Sequence, residues 1–69
     1  MTKPFKNVIT DWELVNQFGN ALIVRGTAMF YQDGVADAGE VINTSKIVNM
    51  KRGPHGYVVE TFNSIYLLV

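Results

Sequence analysis

The sequence contains no cysteine, and His55 is its only histidine. A disulfide and a thiolate metal site are therefore excluded, and one imidazole is too few for a structural zinc centre. A single hydrophobic core in a chain of 69 residues contributes only about 3–5 kcal/mol of stability when no crosslink supports it. Two assemblies remain open at this point: a monomer, and a homodimer formed through an exposed strand or an apolar face.

An excess of charge of either sign is also lacking, because six Lys and Arg residues balance six Asp and Glu residues. Such a surface exerts no long-range attraction on nucleic acid or anionic lipid, and it lacks the dense acidic face of a DNA mimic. No apolar run approaches the ~20 residues of a membrane span, and residues 1–6 lack the apolar segment of a secretory signal. With 48% hydrophobic residues, the composition predicts one folded domain over residues 1–69, in the cytoplasm and without a membrane partner.

Motifs that carry catalysis are absent from the sequence. Ser45 and Ser64 lie in β or turn contexts without a nucleophile elbow, and the six glycines are too scattered to form a phosphate-binding loop. His55 lies in a turn, and the sequence offers no partners with which it could form a catalytic set. We therefore expect no enzymatic activity and no cofactor.

Residues 32–40 form the longest stretch without a periodic pattern, and they include Asp33, Asp37 and Glu40. Three carboxylates on one loop have the chemistry of a calcium or magnesium site. However, Val35 and Ala38 occupy the third and sixth positions of an EF-hand loop counted from Asp33. The sequence therefore favours solvated turn residues, and we expect no metal site.

Residues 57–69 consist of two β-rich runs joined at residues 63–64. A two-residue loop there predicts a hairpin in which Phe62 faces Ile65. One face of this hairpin would carry Tyr57, Val59, Thr61, Tyr66 and Leu68. Because the opposite face is also largely apolar, the hairpin indicates a closed or strongly curled sheet.

Two side-chain contacts can be predicted from this pattern. Glu60 is the only charge on its face of the hairpin, so we expect it to reach a cation of the preceding strand, either Lys46 or Lys51. In the first part of the chain, a four-residue turn would place Trp12 opposite Arg25, with a cation–π contact worth roughly 0.5–1 kcal/mol.

Residues 8–18 fit two interpretations. As a strand, the segment alternates apolar and polar residues, and residues 19–20 provide the turn into the next strand. As a helix over residues 11–18, it has a capping box that begins at Thr10 and a C-terminal stop at Gly19. We adopt the strand, and the helix gives an α+β alternative for the fold.

Residues 21–31 alternate clearly as a strand, in which Gly26 and Ala28 would let the sheet bend or another backbone come close. Residues 41–52 also have β character, but their alternation slips, which a bulge near residues 44–46 would explain. With the terminal hairpin, these segments predict an all-β fold, a small five-stranded antiparallel barrel or curled sheet.

A resemblance to known proteins covers residues 41–69. It rests on residues 44–48, 59–61, 63–64 and 66–67, which read Thr-Ser-Lys-Ile-Val, Val-Glu-Thr, Asn-Ser and Tyr-Leu. In these positions the chain resembles small orphan β-proteins encoded by phages and prophages, anti-CRISPR inhibitors among them. The resemblance implies a mobile-element origin and a protein that binds and blocks a host protein in the host cell cytoplasm. It implies no catalytic or ligand-binding residue.

These observations predict a non-enzymatic protein-binding module, a phage-type inhibitor of a host defence or regulatory protein that acts by steric occlusion. Its partner would be a host protein or protein complex. Aromatic and arginine side chains next to loops are typical anchors of such contacts. The candidate contact residues are Phe30, Tyr31, Asp33, Asp37, Arg52 and Tyr57.

Two alternative functions stay open. The first is a small nucleic-acid-binding β-barrel, in which basic side chains meet phosphates and a tyrosine stacks on a base. Its candidate residues are Lys46, Lys51, Arg52, His55 and Tyr57. The second is a structural or virion accessory subunit that works as an oligomer.

Overall fold

A computed structural model describes residues 3–17, 19, 21–34 and 36–69. These residues form six strands in a single sheet: β1 (Phe5–Gln17), β2 (Ala21–Ala28), β3 (Val41–Asn43), β4 (Ile47–Gly53), β5 (Gly56–Thr61) and β6 (Ile65–Leu68). The predicted turn after β1 includes Asn20, which, like Phe18 and Val35, lies outside the described residues. Within the described part of the chain, no helix has the length and hydropathy that crossing a membrane requires.

The sheet is strongly curled, and its strand order explains why. The order is β3-β2-β1-β6-β5-β4, so the two edge strands follow each other directly in the chain. In a flat sheet of six strands the edges would lie about 24 Å apart, whereas the step from Asn43 to Ile47 spans at most about 14 Å. The sheet must therefore curl until its edges approach each other, and β2 and β4 are indeed in contact.

The segment between β3 and β4 is hydrogen-bonded to β2, near one edge of the sheet, and to the loop after β5, near the other edge. Thr44 donates its backbone N–H to the carbonyl of Val24 in β2 over 2.9 Å, and Phe62 donates its own to the carbonyl of Lys46 over 2.8 Å. The predicted all-β curled sheet is thus confirmed. It has six strands and not five, because residues 41–52, which we predicted as one strand, form the two strands β3 and β4. Residues 44–46, where the alternation slips, lie between them.

β1 is a strand as far as Gln17, so the helix alternative for residues 11–18 is wrong over residues 11–17, and Phe18 lies outside the described residues. The strand pairs with β2 in antiparallel fashion, and a bulge lies between Thr10 and Glu13. Asp11, within this bulge, has a φ of 49°, a conformation that Asp tolerates better than most residues. The local sequence pattern of a helix does not determine the structure here, because the backbone N–H and C=O groups of β1 form hydrogen bonds with a neighbouring strand.

One strand pair could not be foreseen from the sequence. β1 runs parallel to β6, with Asn7 beside Tyr66, Val8 beside Leu67 and Ile9 beside Leu68. Strands that follow each other in the chain pair in antiparallel fashion wherever they are adjacent in the sheet. The parallel pair joins the first strand to the last and completes the curl.

The terminal hairpin forms, but its predicted register is wrong. Glu60 pairs with Ile65 and Val58 pairs with Leu67, which leaves residues 61–64 as the loop. The Thr61 side chain stabilises this loop, since its hydroxyl oxygen accepts the N–H of Ser64 over 3.1 Å. The two side-chain faces are nevertheless as predicted, because a shift of two residues preserves which face each side chain occupies.

The core lies inside the curl. Its buried hydrophobic residues are Ile9, Val24, Ala28, Ala36, Ile42, Val59, Tyr66 and Leu68. Gly26 lies where β2 passes closest to β1, and a Cβ at this position would lie 2.9 Å from the Thr10 carbonyl oxygen and 2.9 Å from the Trp12 Cα. The close backbone approach that we predicted from the small residues of β2 is therefore confirmed.

Both predicted side-chain contacts are wrong. Glu60 pairs with Lys3, whose ammonium lies 2.8 Å from Oε2, and not with a lysine of the preceding strand. Arg25 lies beside Glu13 because of the bulge in β1. Trp12 instead packs edge-on against Tyr57, with ring centroids 5.6 Å apart.

The approach of β1 to β2 predicts that Gly26→Ala lowers the free energy of unfolding by about 1–3 kcal/mol, since the added methyl group meets backbone atoms that cannot move aside alone. Gly53→Ala is the matched control, because its Cβ would meet nothing closer than 3.6 Å, and its effect should stay below about 1 kcal/mol. Urea denaturation measures both variants. Equal stability of the two would contradict the proposed contact.

Candidate functional site

The long loop between β2 and β3, residues 29–40, is closed at its base by the backbone. Ala28 donates its N–H to the carbonyl of Glu40, and Gly39 donates its N–H to the carbonyl of Ala28, both over 2.8 Å. Farther out, Gln32 and Ala36 exchange two backbone hydrogen bonds of 2.7 and 3.0 Å. Residues 32–40, which lack a periodic sequence pattern, thus belong to a hydrogen-bonded loop that extends away from the sheet.

Asn7 fixes the first part of this loop to β1. Its side chain is 1% exposed, and its Oδ1 accepts the N–H of Phe30 over 3.1 Å and that of Val8 over 2.9 Å. Its Nδ2 donates to the Phe30 carbonyl over 2.9 Å and to Oε1 of Gln32 over 3.3 Å. A buried amide that is satisfied on both sides holds the backbone at Phe30 in one position.

The side chains at this fixed position point out of the core. Phe30 is 55% exposed and Tyr31 is 65% exposed. The Tyr31 hydroxyl donates to Oδ1 of Asp33 over 3.1 Å, so one predicted contact residue positions another. We call Phe30, Tyr31, Asp33 and Asp37 the loop patch. These four predicted contact residues lie together in the loop between β2 and β3.

A cavity of about 240 Å³ opens within the loop patch. It is lined by Tyr31, Gln32, Gly34, Ala36, Asp37 and Glu40. Pockets for drug-sized ligands usually have about 300–1,000 Å³, so this one is too small for such a molecule.

The carboxylate of Glu40, which lines the cavity, stabilises the loop itself. Oε2 of Glu40 accepts the backbone N–H of Asp37 over 2.8 Å, which closes the turn before β3. Among residues 3–17, 19, 21–34 and 36–69, no group of three Asp, Glu, His or Cys side chains is placed to hold a metal ion.

The other two predicted contact residues lie elsewhere. Arg52 and Tyr57 face each other across the β4–β5 hairpin. Tyr57 is separated from Ala28, at the base of the loop, by three strand spacings, because it pairs with Leu68, which pairs with Ile9, which pairs with Ala28. That is about 14 Å along the sheet. The six residues therefore form two separate groups.

The predicted nucleic-acid residues do not form one surface either. Lys51 and Arg52 are consecutive in β4 and so project to opposite sides of the sheet, and Lys46 precedes the strand. Tyr57 is half-buried and its ring packs against Trp12. His55 is exposed at the turn. A phosphate-binding groove needs neighbouring cations beside a free aromatic face, and these residues do not supply that arrangement.

Sequence reasoning missed Asn7 and Met29. No sequence pattern marks Asn7, and its inward direction follows only from its pairing beside Tyr66. Met29 is 47% exposed next to Phe30 and extends the apolar area of the loop patch. The signal for Met29 was present in the sequence, since three large apolar residues in a row precede the polar loop.

The contacts of Asn7 predict that Asn7→Asp frees the loop. A carboxylate cannot donate, so it would face the Phe30 carbonyl and Oε1 of Gln32 with a lone pair and a charge. Leaving such buried groups unsatisfied costs about 1–3 kcal/mol or more. We expect faster amide hydrogen exchange at Phe30 and a lower melting temperature.

Asn16→Asp makes the same chemical change at an exposed position of the same strand and serves as its control. It should leave the exchange rate of Phe30 unchanged. If the amide exchange rate of Phe30 in Asn7→Asp equals that in the wild type, the Asn7 side chain does not hold the loop.

Comparisons of the chain with family models, with curated proteins and with solved structures found no match.

Proposed function

We propose that this protein is a non-enzymatic binding module that occupies the surface of another protein through the loop patch. The observation that carries the proposal is the presentation of two exposed aromatic rings, Phe30 and Tyr31, on a backbone held by the buried Asn7. Binding costs less when the contacting groups are already held in position. The fixed loop supplies that condition.

The chemistry of the loop patch also suits a protein contact. Tyrosine is among the residues that most often dominate the binding energy of interfaces, where it combines apolar area with a polar tip. The cavity beside Tyr31 offers a place for one partner side chain. Polar groups of Asp33 and Asp37 surround this centre, as polar rims surround the apolar centres of interfaces.

The partner class in this proposal is a host defence or regulatory protein, blocked by steric occlusion. Its support is the resemblance of residues 41–69 to small phage and prophage β-proteins. A chain of 69 residues with no net charge has little except its surface shape with which to act. The nucleic-acid alternative is weaker, because its cations are divided between two sides of the sheet.

The proposal predicts that Phe30→Ala combined with Tyr31→Ala abolishes capture of a host protein. The double variant removes both exposed rings while Asn7 still bonds the loop backbone, so the fold should be unchanged. Affinity capture from bacterial lysate, followed by mass spectrometry, identifies the partner of the wild type. Binding to the purified partner should then weaken by at least about 30-fold, as expected for the loss of an anchor worth 2 kcal/mol.

Leu22→Ala provides the control, because Leu22 is also exposed, at 43%, but lies in β2 near the opposite end of the strand from the loop. It should retain the partner. Capture that survives in the double variant would contradict a role for the loop patch. If nuclease treatment or a modest rise in salt concentration abolishes the capture, this result would favour the nucleic-acid alternative.

A further inference from the structure

The outside of the curled sheet carries a second apolar surface, separate from the loop patch. Side chains of β1, β5 and β6 that alternate with the core residues project outward here. We call them the outer face: Phe5, Val8, Val58, Ile65, Leu67 and Val69. Phe5, Val58 and Val69 are 58%, 42% and 47% exposed.

Strand pairing makes the outer face continuous. Val8 lies beside Leu67, and Leu67 lies beside Val58, so one row crosses three strands. A second row begins with Phe5 beside Ile65 and ends at Glu60. Isolated exposed apolar residues are ordinary on proteins, whereas a contiguous group of them marks an interaction surface.

The centre of the outer face is the parallel pair of β1 and β6. Sheets made entirely of parallel strands occur almost only where both faces are covered. In this chain the inner face of the pair is covered by the core, whereas on the outer face Val8, Ile65 and Leu67 are only partly buried and the Lys3 side chain crosses β6 to reach Glu60 in β5. A further layer of protein would give the pair the environment that parallel strands normally have.

The charges on this surface favour an identical copy as that layer. Glu60 is the only acidic residue in the two rows, and Lys3 neutralises it over 2.8 Å. Lys51, beside Val58, and Lys6, beside Phe5, are exposed at the margins, where long side chains can remain in water. An electrically neutral centre meets no repulsion from its own copy and offers a charged partner nothing to bind.

The size of the surface decides how strong such a contact would be. The three strands that carry the outer face, at about 4.8 Å each, and six residues at about 3.3 Å give a projected area of about 290 Å². The smallest stable interfaces bury about 600 Å² of accessible surface on each partner. The curl lets the central strands make contact first, so the dimer should be weak, with a dissociation constant in the micromolar range.

We propose that a second copy of this chain covers the outer face, in a two-fold dimer in which the two sheets pack face to face. Each copy would place Val8, Val58 and Leu67 against the same residues of the other, as a two-fold interface requires. The sheets would lie about 10 Å apart, the usual distance for packed sheets. The loop patch remains outside this interface and is displayed twice by the dimer.

Sedimentation equilibrium of the wild type from about 1 µM to about 1 mM spans micromolar dissociation constants and tests this proposal. The expected mass rises with concentration from 7.7 kDa toward twice that value. Phe5→Lys combined with Val58→Lys should weaken association by at least about tenfold, because it places two like charges opposite their copies. Circular dichroism verifies that the variant is folded.

Leu22→Lys is the matched control, since Leu22 is as exposed as Val58, at 43% against 42%, but lies on the opposite side of the sheet. It should dimerise like the wild type. A second measurement does not depend on any variant: in a mixture of labelled and unlabelled wild type, isotope-filtered NOEs should join the methyl groups of Val8, Val58 and Leu67 across the interface.

A wild type that stays at 7.7 kDa up to the highest concentration overturns the proposal. So does a dimer whose intermolecular NOEs lie in the loop patch or along a sheet edge. If the lysine variant fails to fold, the NOEs of the wild type decide the question.

Discussion

The step from β3 to β4 controls the shape of this protein. Two strands at opposite edges of a six-stranded sheet are joined by residues 44–46 alone. No flat sheet can satisfy this connection, so the sheet curls, and the backbone of the connecting segment bonds to β2 on one side and to the loop after β5 on the other. In a chain without cysteine, this double attachment closes the core.

Curling gives the sheet an inside, which holds the core, and an outside. Inside, Ile9, Val24, Val59 and Leu68 are fully buried, and the polar groups that join them are hydrogen-bonded. Asn7 is the clearest example, because it belongs to the inner side of β1 yet determines the position of Phe30 on the surface. The aromatic side chains of the loop are therefore presented by the same strand that builds the core.

Outside, the two apolar surfaces have different physical origins. The loop patch is exposed because a connection between strands leaves the sheet and is held there by hydrogen bonds. The outer face is exposed because both sides of the terminal hairpin are apolar and only one side can face the core.

Several elements could be predicted from local pattern. Alternation identified β2, β5 and β6, and the small residues Gly26 and Ala28 indicated the close passage of β2 past β1. The slip of alternation marked residues 44–46, where the structure has a break between β3 and β4 and not the predicted bulge. The four residues of the loop patch lie in one loop because they are close in sequence. Arg52 and Tyr57 lie apart from them, since their distance from the loop depends on the order of strands.

Alternation by itself assigned the two faces of the terminal hairpin, and it did so although the predicted register was wrong, because side chains repeat every two residues and a shift of two leaves every face unchanged. The tertiary structure alone decided the register, the parallel pairing of β1 with β6, the inward direction of Asn7 and the choice of Lys3 as the partner of Glu60. Each of these depends on which backbone groups meet across the sheet, and residues that are far apart in the chain carry no local mark of that meeting.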